Sequence, residues 1–328
     1  MSITPRTTVD FSAVRQAAQR IAEHVHHTPI MTSRALNALL GAQLFFKCEN
    51  LQRSGAFKFR GATNAVMMQP EDRLAAGFAT HSSGNHGAAL SLAASLRGAC
   101  ATIVMPSNSN RAKMHAVRSY GGTIVECEPT QVAREETFAR LVTSTGAEPV
   151  PPFDDVRVIA GQGTAALELL ESIADLDAVL TPVGGGGLLA GTVISAKSIT
   201  TKGATKRARQ TDVYGAEPAA ADDTFRSFNA GERIPLSATA NTIADGLRTS
   251  IGFITFPIIR DGAAGVLTAS EASIVSAMRM IFERMKLVVE PSAAVPLACM
   301  LEQPQRFAGK RVGLIISGGN IDLEQLPW

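Results

Sequence analysis

Asp10 precedes apolar residues at Phe11, Val14, Ala18, Ile21, Ala22 and Val25, a spacing that places them on one face of a helix with Asp10 as its cap. Beyond it the pattern alternates. Short β-rich runs occur at 44–49, 77–82, 101–106, 123–128, 178–183, 212–217 and 311–317. Between many of them lie Ala-rich or amphipathic stretches, such as 85–98, 129–146 and 270–286, that read as helices. Strands joined by helices imply crossover connections and a largely parallel, buried sheet, so the expected class is α/β. No repeat at a solenoid period and no low-complexity linker interrupts the pattern. Pro149, Pro151 and Pro152 mark a crossing between domains.

Composition narrows the class of protein. The 328 residues include 45% hydrophobic and 18% charged side chains, too apolar and too weakly charged for disorder. Lys and Arg total 31 against 29 Asp and Glu, leaving +2 without a block of one sign, so no nucleic-acid partner and no membrane partner is expected. The run from Ala178 to Ala196 carries no charge, but Pro182 and five glycines argue against a membrane span. Four cysteines show no CxxC or CxxH spacing, and the N-terminal residues lack the basic start and apolar core of a signal peptide. A reducing, cytoplasmic location is the expectation.

Three glycine clusters fall where strands end: SSGNHG (82–87), GGGG (184–187) and SGGN (317–320). Open α/β sheets bind ligands beyond the carboxyl ends of their strands, so one polar ligand held by three loops is the economical expectation. Consecutive glycines let backbone amides converge without side-chain clash, and a following helix adds its positive end, which suits a phosphate. A mere tight turn is the bland alternative. Gly185, Gly187 and Ala190 also fit a GxGxxA dinucleotide pattern with Glu217 ending the next strand, a weak signal alone. Lys58 lies between Phe57 and Phe59 in SGAFKFRGA. An ammonium among apolar neighbours has its charged form disfavoured, which makes a lysine nucleophilic near neutral pH; a snorkelling surface lysine is the alternative.

SGAFKFRGA, SSGNHG, GGGG and SGGN, in that order, resemble the pyridoxal-phosphate enzymes of fold type II, the β-family. The likeness is greatest to the serine racemase and hydroxyamino-acid dehydratase branch. It extends over HHTPIMTS, VIAGQGT and ERMKLVVEPSAAV, essentially the whole chain. The resemblance implies a two-domain α/β fold related to tryptophan synthase β, with residues 1–70 and 153–328 as the large cofactor-binding domain and 71–152 as a small mobile one. It also implies a homodimer.

Carried over by resemblance, Lys58 forms the Schiff base, Phe57 packs beside the cofactor ring and Asn85 bonds the ring hydroxyl. Gly184, Gly185, Gly186 and Gly187 with Leu188 hold the phosphate, and Ser317 faces the pyridine nitrogen. A hydroxyl there does not keep the nitrogen protonated, so elimination competes well with transamination. Ser82, Ser83, Gly84, Asn85 and His86 are expected to cradle the substrate α-carboxylate. The serine matching Ser83 exchanges the Cα proton in the racemase branch, though a serine before glycine is otherwise an ordinary turn residue.

Glu217 and Asp223, with the carbonyl of Ala221, offer hard oxygen ligands, and the resemblance assigns these positions to a divalent cation (Mg, Mn or Ca). Carboxylates in loops are otherwise usually just solvated. His81 and Arg134 match positions near the substrate β-substituent and could clamp a second carboxylate. For Arg134 the alternative is a solvated helix position beside Glu135 and Glu136. His24, His26 and His27 read as surface or capping residues before Pro29.

The resemblance implies a hydroxyamino-acid ammonia-lyase. A second carboxylate in the site makes 3-hydroxyaspartate the substrate, with oxaloacetate and ammonia as products. Serine racemase with side dehydration of serine is the alternative, followed by plain serine or threonine dehydration. A cysteine synthase, a nicotinamide dehydrogenase and a non-catalytic effector-binding relative are the remaining readings. The chain ends soon after SGGN, so inhibition through a C-terminal regulatory domain is not expected.

Overall fold

The structure, a computed structural model, describes residues 8–82, 84–109, 111–199, 201–202, 208–237 and 240–328. Its strands in chain order are β1 (Ile30–Met31), β2 (Gln43–Cys48), β3 (Phe78–Thr80), β4 (Ala101–Pro106), β5 (Thr123–Cys127), β6 (Glu148–Pro149), β7 (Ala178–Pro182), β8 (Thr201–Lys202), β9 (Ala208–Arg209), β10 (Asp212–Pro218), β11 (Gly265–Ala269) and β12 (Arg311–Ile316). Six form one sheet in the order β1-β2-β12-β7-β10-β11, and four form another in the order β5-β4-β3-β6. All pairings in both sheets are parallel except β1 with β2. Strands β8 and β9 make a separate antiparallel pair.

Alternation along the strands divides the larger sheet between two cores. Leu44, Phe46, Leu180, Ala216 and Leu314 face one, with the helix Pro291–Glu302. Val179, Val213 and Ile315 face the other, with the helices Val156–Ser172 and Gly187–Ser198. Side chains on both faces are buried, as a parallel sheet covered by helices requires. The smaller sheet has its own core, in which Phe78, Ile103 and Met105 pack against Phe59, Ala62 and Val66 of the helix Lys58–Met67. That helix begins in the site and ends against the smaller sheet.

All seven sequence-derived strands form, within a residue or two of the expected bounds. The run at 77–82 is strand only over Phe78–Thr80, because His81 and Ser82 already turn toward the next helix. The two-residue β1 and β6 and the edge strand β11 carry too little alternation to be seen in sequence, and β6 ends in a proline that only a sheet edge accepts. Asp10 caps the helix Phe11–Ile21 by accepting from the amide of Ala13 at 2.9 Å. Among the described residues no helix is long and apolar enough to cross a membrane.

Candidate functional site

The site begins where two loops are stitched together. Ala56 forms an antiparallel bridge with Gly318, and the amide of Phe57 donates to the carbonyl of Ser317 at 3.0 Å. This places Lys58, first residue of its helix, beside the end of β12. Lys58 Nζ donates to the carbonyl of Pro152 at 2.8 Å. Loss of hydration lowers its pKa to about 8, although the nearby charge of Glu290 works in the opposite direction. The residue as a whole keeps partial solvent contact. Ser317 is buried, and Phe57 is half-buried against the helix-covered core.

After β7 the chain runs through Gly184–Gly187 into the helix Gly187–Ser198. Space here excludes side chains. A Cβ on Gly185 would lie 2.2 Å from the ring of Phe153, and one on Gly186 2.5 Å from Ile251 Cδ1. Gly186 also has φ +89°, a conformation that favours glycine. Gly184 to Gly187 and Leu188 are all buried, and they lead into the N-terminal, positive end of a helix.

From the smaller sheet, the loop after β3 brings Ser82, Gly84, Asn85 and His86 to the same place; Ser83 lies outside the described residues. Gly87 permits the close approach, since a Cβ there would lie 2.6 Å from the carbonyl of Ser82. Asn85 is held at both ends of its amide. Its Nδ2 donates to Glu290 Oε1 at 2.9 Å and Oε2 at 3.1 Å, and its Oδ1 accepts from Asn320 Nδ2 at 2.9 Å. The buried His86 ring donates from Nε2 to the carbonyl of Val150 at 2.9 Å, and burial, with Lys58 nearby, lowers its pKa to about 3. His86 is therefore neutral, its Nε2 engaged with the chain crossing while its buried Nδ1 has no hydrogen-bond partner among the described residues.

His81 ends the strand-to-loop turn of the smaller sheet, with its ring edge-on to Phe138 at 4.9 Å between centroids. Burial lowers its pKa, and the positive charge of Arg134 adds to that lowering. The helix Gln131–Thr145 thus brings Arg134 within electrostatic reach of His81, although the two are far apart in sequence.

Glu217 is the penultimate residue of β10, and Asp223 begins the helix Asp223–Ala230; both are completely buried. Burial and the charge of Asp223 raise Glu217 to about 8, and burial raises Asp223 to about 6. Glu217 accepts from the amides of Thr224 and Phe225, and Asp223 Oδ2 from that of Ile251, but buried Asp223 Oδ1 has no hydrogen-bond partner among the described residues. Two mutually repelling buried carboxylates with an orphaned oxygen fit a cation. Among the described residues no group of three or more His, Cys, Asp or Glu is placed to hold a metal, so carbonyl and water oxygens, Ala221 among the former, would complete the sphere.

A family model for pyridoxal-phosphate dependent enzymes matches residues 21–318, and the chain belongs to that family. Its fold is that of the fold type II members, with parallel sheets flanked by helices. The chain is 51% identical to the beta-hydroxyaspartate dehydratase of Paracoccus denitrificans over 312 residues, 95% of this chain and 96% of that protein. It is 44% identical to the L-threo-3-hydroxyaspartate ammonia-lyase of a Pseudomonas species, over 95% of each. The crystal structure of serine racemase from Dictyostelium discoideum, 45% identical, matches with a TM-score of 0.89 over 97% of this chain and 100% of that one.

The residues present fit the family's cofactor. A lysine of depressed pKa and a glycine loop that no side chain could enter offer a covalent anchor and a phosphate site. Glu290, Asn320 and the carbonyl of Pro152 are site groups that the sequence alone does not assign. The first two stand inside motifs already singled out, VVEPSAAV and SGGN, while a backbone carbonyl leaves no mark in sequence.

Proposed function

We propose that this protein is an ammonia-lyase that converts 3-hydroxyaspartate to oxaloacetate and ammonia. The observation that carries the reading is that His81 packs edge-on against Phe138, one turn after Arg134 on the same helix, and lies within electrostatic reach of Arg134 and of His86, which in turn feels Lys58: a positive charge near an imidazole suits a second carboxylate. The similarity to two enzymes named for hydroxyaspartate supports it.

Pyridoxal phosphate, when bound, supplies an electron sink for the pair left on the substrate Cα. Lys58, Phe57, Asn85, the Gly184–Gly187 loop with Leu188, and Ser317 would hold it. Lys58 Nζ takes the Cα proton, its depressed pKa leaving it a free base at mildly alkaline pH. The amides and hydroxyls of Ser82–His86 hold the α-carboxylate at a helix start. Arg134 and His81 hold the β-carboxylate. The β-hydroxyl leaves with a proton as water, and water re-enters as ammonia departs, so the net products are the keto acid and ammonia.

A divalent cation at Glu217, Asp223 and the Ala221 carbonyl would neutralise the buried carboxylates without entering the chemistry. Residues 71–152 would move as a small domain over the cleft, and two copies would form a homodimer in the cytoplasm. Serine racemisation with side dehydration is the second reading. Ser83 in the sequence and the similarity to a serine racemase favour it. Steady-state kinetics with L-threo-, L-erythro- and D-3-hydroxyaspartate beside L-serine, D-serine and L-threonine separate the readings. A kcat/KM for serine or threonine above that for every hydroxyaspartate isomer would sink the first.

A further inference from the structure

Three consecutive residues at the chain crossing touch three parts of the site. The carbonyl of Pro152 accepts Lys58 Nζ. The ring of Phe153 lies flush against Gly185. Asp154 reaches the loop that starts the helix Thr255–Gly262: its Oδ2 accepts from the amide of Phe253 at 2.9 Å, and its Oδ1 from those of Ile254 at 2.8 Å and Thr255 at 3.2 Å. Such amides have no partner within their own helix, so Asp154 acts as a cap supplied from elsewhere in the chain. A Cβ on Gly252 would lie 2.2 Å from Asp154 Oδ1, so the approach is close-fitted.

The loop held this way has its own grip on the glycine cradle. The carbonyl of Gly185 accepts from Thr255 Oγ1 at 2.7 Å and from the amide of Gly252 at 3.2 Å. In a planar trans peptide the carbonyl oxygen of Gly185 and the N–H of Gly186 point in opposite directions. Two donors fastening that oxygen therefore turn the Gly186 N–H away from the 252–255 loop. Glycine peptides resist rotation weakly, so a cradle built of them needs such a fastening.

We propose that Asp154 is a positioning residue for the phosphate cradle: it holds residues 252–255, they hold the Gly185 carbonyl, and the Gly186 amide is thereby aimed at the cofactor's phosphate. The same short segment takes Lys58 on the Pro152 carbonyl, so both ends of the cofactor site depend on one stretch of chain. The inference rests on family membership and on the glycine loop as the phosphate site, and is independent of which amino acid is the substrate.

Apo-protein titrated with pyridoxal phosphate, with phosphate-free pyridoxal and with inorganic phosphate tests it. For Asp154→Ala and Thr255→Val the dissociation constants of the two phosphate-bearing ligands should rise about tenfold, the worth of a hydrogen bond or two, with pyridoxal unchanged. Thr255→Ser, which keeps the hydroxyl, should restore wild-type values. Equal weakening of pyridoxal and pyridoxal phosphate, or a lower thermal midpoint with phosphate affinity intact, would overturn the proposal. Should Asp154→Ala fail to fold, Asp154→Asn, which keeps one acceptor oxygen in place of two, takes its place with the same readouts.

Discussion

The side-chain amide of Asn85 donates to both carboxylate oxygens of Glu290, 205 residues away in the chain. Burial raises the Glu290 carboxyl to about 7, against the pull of the Asn85 bond. Its protonation therefore changes near neutral pH, beside the residue expected to meet the cofactor's ring hydroxyl. The folded chain holds this proton more tightly than the unfolded one, so the group lowers stability as pH rises from about 4.5 to about 7 and adds no slope above. In the holoenzyme, a cofactor absorbance change centred near pH 7 should be present in the wild type and absent in Glu290→Gln. Glu290→Ala should lower kcat by roughly tenfold or more, the value of a hydrogen bond to a charged group.

On the proposed function, selectivity for a dicarboxylate should depend on Arg134 and His81. Arg134→Ala should reduce kcat/KM for hydroxyaspartate by roughly 10- to 100-fold, as for a lost charge-assisted bond, while leaving serine within about twofold. Equal loss for both substrates in parallel initial-rate measurements would refute the clamp. His81 has a lowered pKa and must gain a proton to form a charge-assisted bond. KM for hydroxyaspartate should therefore rise with pH, and His81→Ala should flatten that rise.

The carboxylates of Glu217 and Asp223, raised to about 8 and about 6, should set the pH dependence of stabilisation by the proposed cation. Without a cation the native state keeps protons that the unfolded chain has released, so stability falls as pH rises from about 4 to about 8. A bound cation removes that penalty. Thermal shifts with Mg, Mn or Ca should grow between pH 5 and 8, reaching on the order of 5 °C at a hundred times Kd, and vanish in Glu217→Gln/Asp223→Asn.

Arg60, on the Lys58 helix, is the centre of a buried set of charges. Arg60 bonds Glu49 at 2.7 Å and Glu168 at 2.6 Å, and Lys47 bonds Glu168 at 2.5 Å; Arg60, Glu49 and Lys47 are fully buried. Burial works to raise Glu168, but Arg60 and Lys47 overcome it and hold its carboxyl below the usual value. Glu168→Ala would leave two buried cations short of an anion and should cost about 3–5 kcal/mol in chemical denaturation, as breaking a buried pair does. The loss should shrink as pH falls below about 4.5, where the wild type also forfeits this contribution.

Much of the site was legible because its chemistry is local. Lys58 between aromatics, four glycines in a row, and a serine and asparagine at a helix start are short-range patterns whose backbone demands few other residues can meet. Strands with clear alternation were legible for the same reason, while the two-residue β1 and β6 were not.

What the sequence by itself determined is the order of the seven longer strands it marks, the parallel class of sheet and the candidate loops for a ligand. Each depends on neighbouring residues whose spacing has one physical solution. Only the tertiary structure decided that Glu290 grips Asn85 and that Asp154 caps a helix about a hundred residues away. Those contacts arise when separate elements pack, and a carboxylate with no fixed neighbour in the chain carries no local sign of the amide it will meet.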